Sequence, residues 1–350
     1  MPTYTPLLLN NRELSLPKAI LSPELGARTV LTNEPWTFVE LALVRDKKKE
    51  AQFYWQQAKE FYTAALGLPL RSAPLLLYYA FMNATKALLA AKGRAFVPGH
   101  GVGNWTPPPG SRPKGLPIGV EIRPRGILPS LSEYYGEGET RTHHLVKDIL
   151  FNLPFIHRTF GLTYTSQPEM FVPLRHPRFV VEDGTTNVFF TAQVSQHFST
   201  PEYMKRMPTT LQPHPTSPDN AVISTHCVSV SSSQQPTATD LAAVASLART
   251  LRDDICYING INTLWYVKTI VVVGDPSRLQ RQSTTLTLAA MHRLSELCRY
   301  HPMQMVRYLE GQKNWLLSEF ITMSGPQFID AMASEITGKQ FLMPNVRPAT

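Results

Sequence analysis

Between Leu75 and Leu89 apolar residues fall on every side of a helical wheel, so this stretch is stable only as a helix wrapped by the rest of the chain. Ser72 stands where an N-cap should, and Pro74 falls in the first turn, where its missing N–H costs nothing. Gly93 is placed to close the helix as its C′ residue. The polar residues inside are the informative ones. Tyr79, Asn83 and Lys86 recur at i, i+4 and i+7 and share one face. A buried ammonium must find a partner or give up its proton. Two readings stay open: Lys86 snorkels to solvent while Asn83 ties down a neighbouring loop, or the three form a binding stripe.

The helix runs into a loop, Arg94 to Gly103, that holds Pro98, Gly99, His100, Gly101 and Gly103. Glycines on both sides of a histidine let the backbone come close to a ligand or another strand. No G-x-x-x-x-G-K-[ST] or G-x-G-x-x-G spacing occurs, so a nucleotide loop is not indicated. His100 either bonds carbonyls of its own loop or has a chemical role. Upstream, Trp36 to Leu66 reads as one or two helices, and the short Leu-Pro-Leu connection to Ser72 forces an antiparallel helical hairpin.

Several of these segments carry a family resemblance. Trp36, Ala51-Gln52-Phe53-Tyr54, the PLLLYYAFMNATKALL helix, His100-Gly101 and LSELCRYHP at Leu294–Pro302 together resemble the YaaC-like family of bacterial proteins. The last of these looks like that family's Ser-x-x-x-Arg-Tyr-x-Pro segment. The likeness covers both ends of the chain and is looser over Thr140–Pro154. It implies common descent and brings no catalytic residues or cofactor with it.

A net charge of +8 and a pI near 9.4 favour anionic partners, nucleic acid among them. The sharpest basic run is Arg45–Lys49, with Lys47, Lys48 and Lys49 as binding candidates beside Arg94. Three cysteines at wide spacing, Cys227, Cys256 and Cys298, indicate neither a disulfide frame nor a zinc knuckle and point to a reducing, cytoplasmic setting. The N-terminus lacks a signal-peptide pattern, and no apolar run approaches ~18 residues, so no membrane partner is expected. No cofactor motif is present. The His143-His144 pair has no third ligand at metal spacing, so no metal is expected either.

Along the chain, residues 1–33 read as an extended arm and 34–160 as a helical part with a Pro/Gly-rich loop at 104–135. His143–Leu153 reads as a helix. Residues 161–280 read as a mixed β region: an RFVVE/DGTT/NVFFTAQV hairpin, a loop at Thr200–Asn220, a strand in AVISTHCVSVS, a helix over Thr239–Ile258, and a central strand in LWYVKTIVVV. Residues 281–350 turn helical again, with Leu286, Ala290, Leu294 and Leu297 as a core face and Pro302 ending the first helix. The expected class is α+β, with N- and C-terminal helices forming one bundle and the β region inserted between them.

In the C-terminal helix His292, Glu296 and Arg299 repeat at i, i+4 and i+7, with Tyr300 and His301 beyond. Metal-independent ribonucleases of the HEPN class use an arginine and a histidine four to six residues apart on a helical bundle. Arg293 to His301 has seven intervening residues, and Arg94 to His100 has five but is broken by Pro98-Gly99, so both depart from that pattern. A salt-bridge stripe is the plainer account. The leading expectation is a non-enzymatic protein that binds nucleic acid or a protein partner, a second copy of itself included, through a basic face. The alternatives are a scaffold subunit of a larger, defence-type complex, and a metal-independent ribonuclease with His100 or His301 as acid/base and Arg299 or Lys86 stabilising charge. Convergence of His100, Lys86 and Arg299 on one site is what the chemical reading requires.

Overall fold

The computed structural model describes residues 2–111, 116–270, 277–311 and 313–344, and it is an α+β fold in two compact units. One unit comprises residues 1–33, 169–274 and 337–350; the other comprises 34–168 and 275–336.

The first unit is built on an antiparallel sheet. Its strands run in the order Leu211–His214, Ser217–Ser224, Asn187–Val194, Phe171–Glu182, Leu264–Lys268, Ile255–Ile258. The expected hairpin is its centre: Val181 pairs with Val188 and Phe179 with Phe190 across the Asp183–Thr186 turn. Phe179, Val180 and Val181 are buried in succession, so this strand is covered on both faces. Tyr4–Pro6 pairs with Val180–Glu182, and Leu7, Leu14 and Leu16 enter the same core. The Ala238–Leu251 helix lays Val244, Leu247, Ala248 and Leu251 on the sheet, held at its start by a reciprocal Thr237–Asp240 capping box.

Three sequence expectations change here. The helix expected to reach Ile258 stops at Leu251, because Ile255–Ile258 gains more as an edge strand, with Tyr257 opposite Trp265. The segment read as a loop over Thr200–Asn220 holds a short helix, Pro201–Met204, and a strand pair. The strand from Leu264 ends at Lys268; Val271–Val273 of the expected run lie outside the described residues.

The second unit is mainly helical. Its central helix, Ala73–Ala91, has thirteen of nineteen residues buried, which the all-round apolar pattern demands. Ser72 is its N-cap, although its hydroxyl makes no capping bond. Gly93, at φ 64°, ends it in a Schellman turn: Arg94 N–H donates to Leu89 O at 2.8 Å and Gly93 N–H to Ala90 O at 3.1 Å. The region expected as one or two helices is two, Trp36–Arg45 and Lys49–Leu66. The second runs antiparallel to the central helix, since Phe61 stacks on Tyr79 while Tyr54 meets Lys86. Ser283–Tyr300 packs against the central helix and buries Leu286, Ala290, Leu294 and Leu297. Asn314–Thr337 adds Phe328, stacked on Phe81 at 4.3 Å.

The region expected as a loop over 104–135 is ordered where it is described. Val102–Trp105 and Gly119–Ile122 pair antiparallel, and Ile127–Tyr135 is a helix. Buried Ile118, Val120 and Ile122 supply the period-2 pattern that the surrounding prolines obscure. The helix expected from His143 begins only at Val146, because His143–Leu145 pairs with Gly119–Glu121 as a third strand. Pro302 ends one helix and also opens the next, Pro302–Glu310, at the first-turn position where proline is accommodated.

Candidate functional site

The site lies where the central helix, the His100 loop and the Ser283–Tyr300 helix meet in the second unit. Tyr78 is its floor. Its hydroxyl is 2.5 Å from His100 Nδ1 and donates to Met82 Sδ at 3.7 Å. His292 presents its ring edge-on to Tyr78 at 4.9 Å between centroids, and the His100 and His292 rings are 5.2 Å apart.

The loop is held by backbone rather than by side chains. Gly99 and Gly101 adopt φ 123° and 70°, and Gly126 adopts 131°. The first turn of the Ile127–Tyr135 helix donates Ile127 N–H to Gly99 O at 3.0 Å and Leu128 N–H to His100 O at 3.2 Å. A Cβ on Gly101 would stand 2.3 Å from Pro129 Cδ, so only glycine allows this approach. The His100 ring therefore faces Tyr78 and not the carbonyls of its own loop.

The charge around this core is mostly positive. Burial, then Arg299, Lys86 and Arg123, lower the pKa of His100. His292, buried and flanked by His100, Arg299, Arg293 and Arg123, is pushed down to about 3, and its Nδ1 has no hydrogen-bond partner. Burial raises Tyr78 well above a phenol's ordinary value and lowers Lys86. Glu296 is the nearby carboxylate, 3.3 Å from Arg293 and 3.8 Å from His292. Arg123 lies across Gly103 and is 3.9 Å from Glu121. Among the described residues no carboxylate pairs with Arg299, whose guanidinium covers Tyr300, or with Lys86, which covers Tyr54. Arg299 and Lys86, with no paired carboxylate among the described residues, make the surroundings of neutral His100 favour an anion.

Arg299 and Lys86 lie near enough to His100 to lower its pKa, and Tyr78, His292 and Arg123 join them around its ring. The other candidates lie elsewhere. His301 is exposed between two helices, and the histidine facing His100 is His292. Tyr79 stacks on Phe61, and Asn83 donates to Tyr79 O of its own helix, so it ties down no neighbouring loop. Arg94 acts on Tyr134, which bonds Glu335. Lys47, Lys48 and Lys49 are exposed at a helix–helix turn with Lys47 at φ 56°. They are at the same end of the hairpin as Lys86, about 7.5 Å of helix rise beyond Tyr54.

Tyr78 has little signature in the sequence, because a helical wheel does not say which of two adjacent tyrosines meets a loop; its i, i+4 spacing from Met82 is the signal it offers. The first unit has an open hollow of about 620 Å³ beside Tyr4, His176, Arg178 and His214, but its arginine is held by Glu13 through two 3.0 Å bonds. Among the described residues no group of three His, Cys, Asp or Glu is placed to hold a metal ion, and no helix is long and apolar enough to cross a membrane.

The family described as YaaC-like Protein matches residues 27–336. No curated protein and no solved structure matches the chain.

Proposed function

The chain belongs to the YaaC-like family, and from the charge arrangement of its second unit we propose that it binds nucleic acid, seating a backbone phosphate among His100, Arg299, Lys86 and Arg123. The observation that carries this reading is that Arg299 and Lys86, neither held by a carboxylate among the described residues, both act on half-buried His100 and lower its pKa. A phosphate neutralises both cations and accepts from imidazole N–H, while burial strengthens each contact. The exposed Lys47–Lys49 run at the same hairpin end extends the track along a phosphate backbone. In this reading the N- and C-terminal helices act as one bundle, with the mixed β region inserted in the chain between them.

Fluorescence anisotropy of labelled single-stranded RNA and DNA across a salt series tests it. Binding is expected to weaken steeply with salt, and Arg299→Ala and Lys86→Met are each expected to lower affinity by roughly tenfold, about 1.4 kcal/mol, and to reduce the salt slope by about 1. Affinity that is flat in salt, or unchanged in both variants, contradicts the assignment.

A further inference from the structure

We infer that the open hollow of the first unit, about 620 Å³ in volume, binds a neutral, hydroxyl-bearing ligand of the saccharide class. Its volume is that of a small-molecule site, about 300–1,000 Å³. Thr191 and Gln193 line it and alternate along their strand with Phe190, Ala192 and Val194, which enter the core with the Ala238–Leu251 helix. The informative residue is His214, which is 8% exposed and still lines the hollow. Its ring stands edge-on to Tyr4, 5.0 Å between centroids. Its Nδ1 accepts from Thr216 N–H at 3.3 Å and from the Thr216 hydroxyl at 3.0 Å. A backbone N–H can only donate, so Nδ1 carries no proton and the ring is the neutral tautomer with its hydrogen on Nε2. Among the described residues no acceptor meets that Nε2–H. A donor more than nine-tenths buried at the wall of a hollow, with no protein partner, is satisfied by what enters the hollow.

Charge decides the class of ligand. Arg178, the arginine that lines the hollow, donates to both carboxylate oxygens of Glu13 at 3.0 Å, so its charge is already answered and an anion gains little here. The groups left for a ligand are neutral. The Tyr4 hydroxyl and the exposed Gln193 amide meet no hydrogen-bond partner among the described residues, and they offer donors and acceptors beside the His214 donor. Hydroxyls donate and accept at once, which matches this mixture, and the Tyr4 ring presents an aromatic surface with a polar tip. The rim carries a backbone signature as well. Arg175 pairs with Gln193 and Arg178 with Thr191, so His176 and Pro177 together oppose Ala192 in a β-bulge. His176 takes φ 50° there, a left-handed conformation uncommon for a residue with a side chain, and it lines the hollow. Bulges of this kind re-aim a side chain beside a site.

The test uses the purified full chain and imidazole proton–nitrogen NMR. The free protein is expected to show His214 as the Nε2–H tautomer, and an Nδ1–H ring overturns the inference. The same signal is then followed as methyl glucoside, methyl mannoside, N-acetylglucosamine, maltose and cellobiose are added, with inorganic phosphate and adenosine in parallel. At least one saccharide is expected to shift it saturably, and phosphate is expected to leave it in place. His214→Phe, which keeps a ring beside Tyr4 and removes the donor, is expected to lower that affinity about tenfold, and Gln193→Ala, at an exposed strand position, to lower it by a few-fold. A disaccharide that binds tighter than the monosaccharides identifies a glycan chain as the source of the ligand, and equal affinity identifies a free sugar. Saturation by phosphate or adenosine and by no saccharide, no shift with any of these probes, or an affinity unchanged in both variants overturns the inference. None of these results bears on nucleic-acid binding, which belongs to the second unit.

Discussion

Replacing Gly126 by alanine tests how the His100 loop is held. Gly126 has φ 131° and ψ −175°, a backbone region that is essentially glycine's alone, and entering it costs another residue about 1–3 kcal/mol. The added Cβ would also stand 2.4 Å from both N and Cα of Gly101, backbone atoms that have no rotamer to change. Restoring ordinary carbon contact requires the two chains to part by about 1 Å. That displacement opens the Ile127–Gly99 and Leu128–His100 bonds and draws His100 from Tyr78, whose hydroxyl is 2.5 Å away. For a unit of this size each kcal/mol moves Tm by about 2–4 °C, so a fall of about 2–12 °C is expected, with loss of RNA affinity at temperatures well below the Tm. Thermal unfolding by circular dichroism and anisotropy on the same sample read both effects. A Gly126→Ala protein with unchanged Tm and unchanged affinity would refute the claim that this glycine pair fixes the loop.

Three further outcomes follow from the second unit. His292 keeps a folded pKa of about 3 against an ordinary value near 6.5, so only the unfolded chain takes up this proton as pH falls between them. Stability is therefore expected to fall from about pH 6.5 down to about pH 3, by on the order of 4 kcal/mol, with His292→Gln showing a flatter urea-midpoint profile over that window. Glu137 is buried and accepts from Gln282 N–H, Thr285, Ser132 and Arg281. Glu137→Ala leaves Arg281 charged and buried and is expected to cost about 3–5 kcal/mol in urea unfolding; a cost under about 1 kcal/mol would show that this network is solvated. Lys47, Lys48 and Lys49 replaced together by alanine are expected to reduce the log–log salt slope of RNA binding by about 2–3, and an unchanged slope would place the run off the ligand path.

The central helix was legible in the sequence because its constraint is local: apolar residues around the whole wheel allow only a wrapped helix, and Gly93 closes it for a reason visible in one residue. The strands at 102–105 and 119–122 were hidden because proline and glycine surround them, and four-residue strands give little periodic signal. His143–Leu145 read as helix because pairing partners 22 to 26 residues away in sequence decide its state, not its own propensity. At the site, the His292–Glu296–Arg299 stripe and His100 could each be seen alone. Their meeting at Tyr78 depends on how two helices and a glycine loop pack, which no local pattern encodes.

The central claim is that an anionic ligand sits at His100, and the most direct measurement is the imidazole NMR titration of His100, with and without a saturating non-cleavable 2′-O-methyl RNA. Burial, Arg299, Lys86 and Arg123 lower this pKa in the free protein, and a phosphate beside the ring offsets those cations, so the pKa is expected to rise on binding. A strand that binds with full affinity while the His100 titration stays where it was would contradict the account, because the ligand's charge would then lie somewhere other than this site.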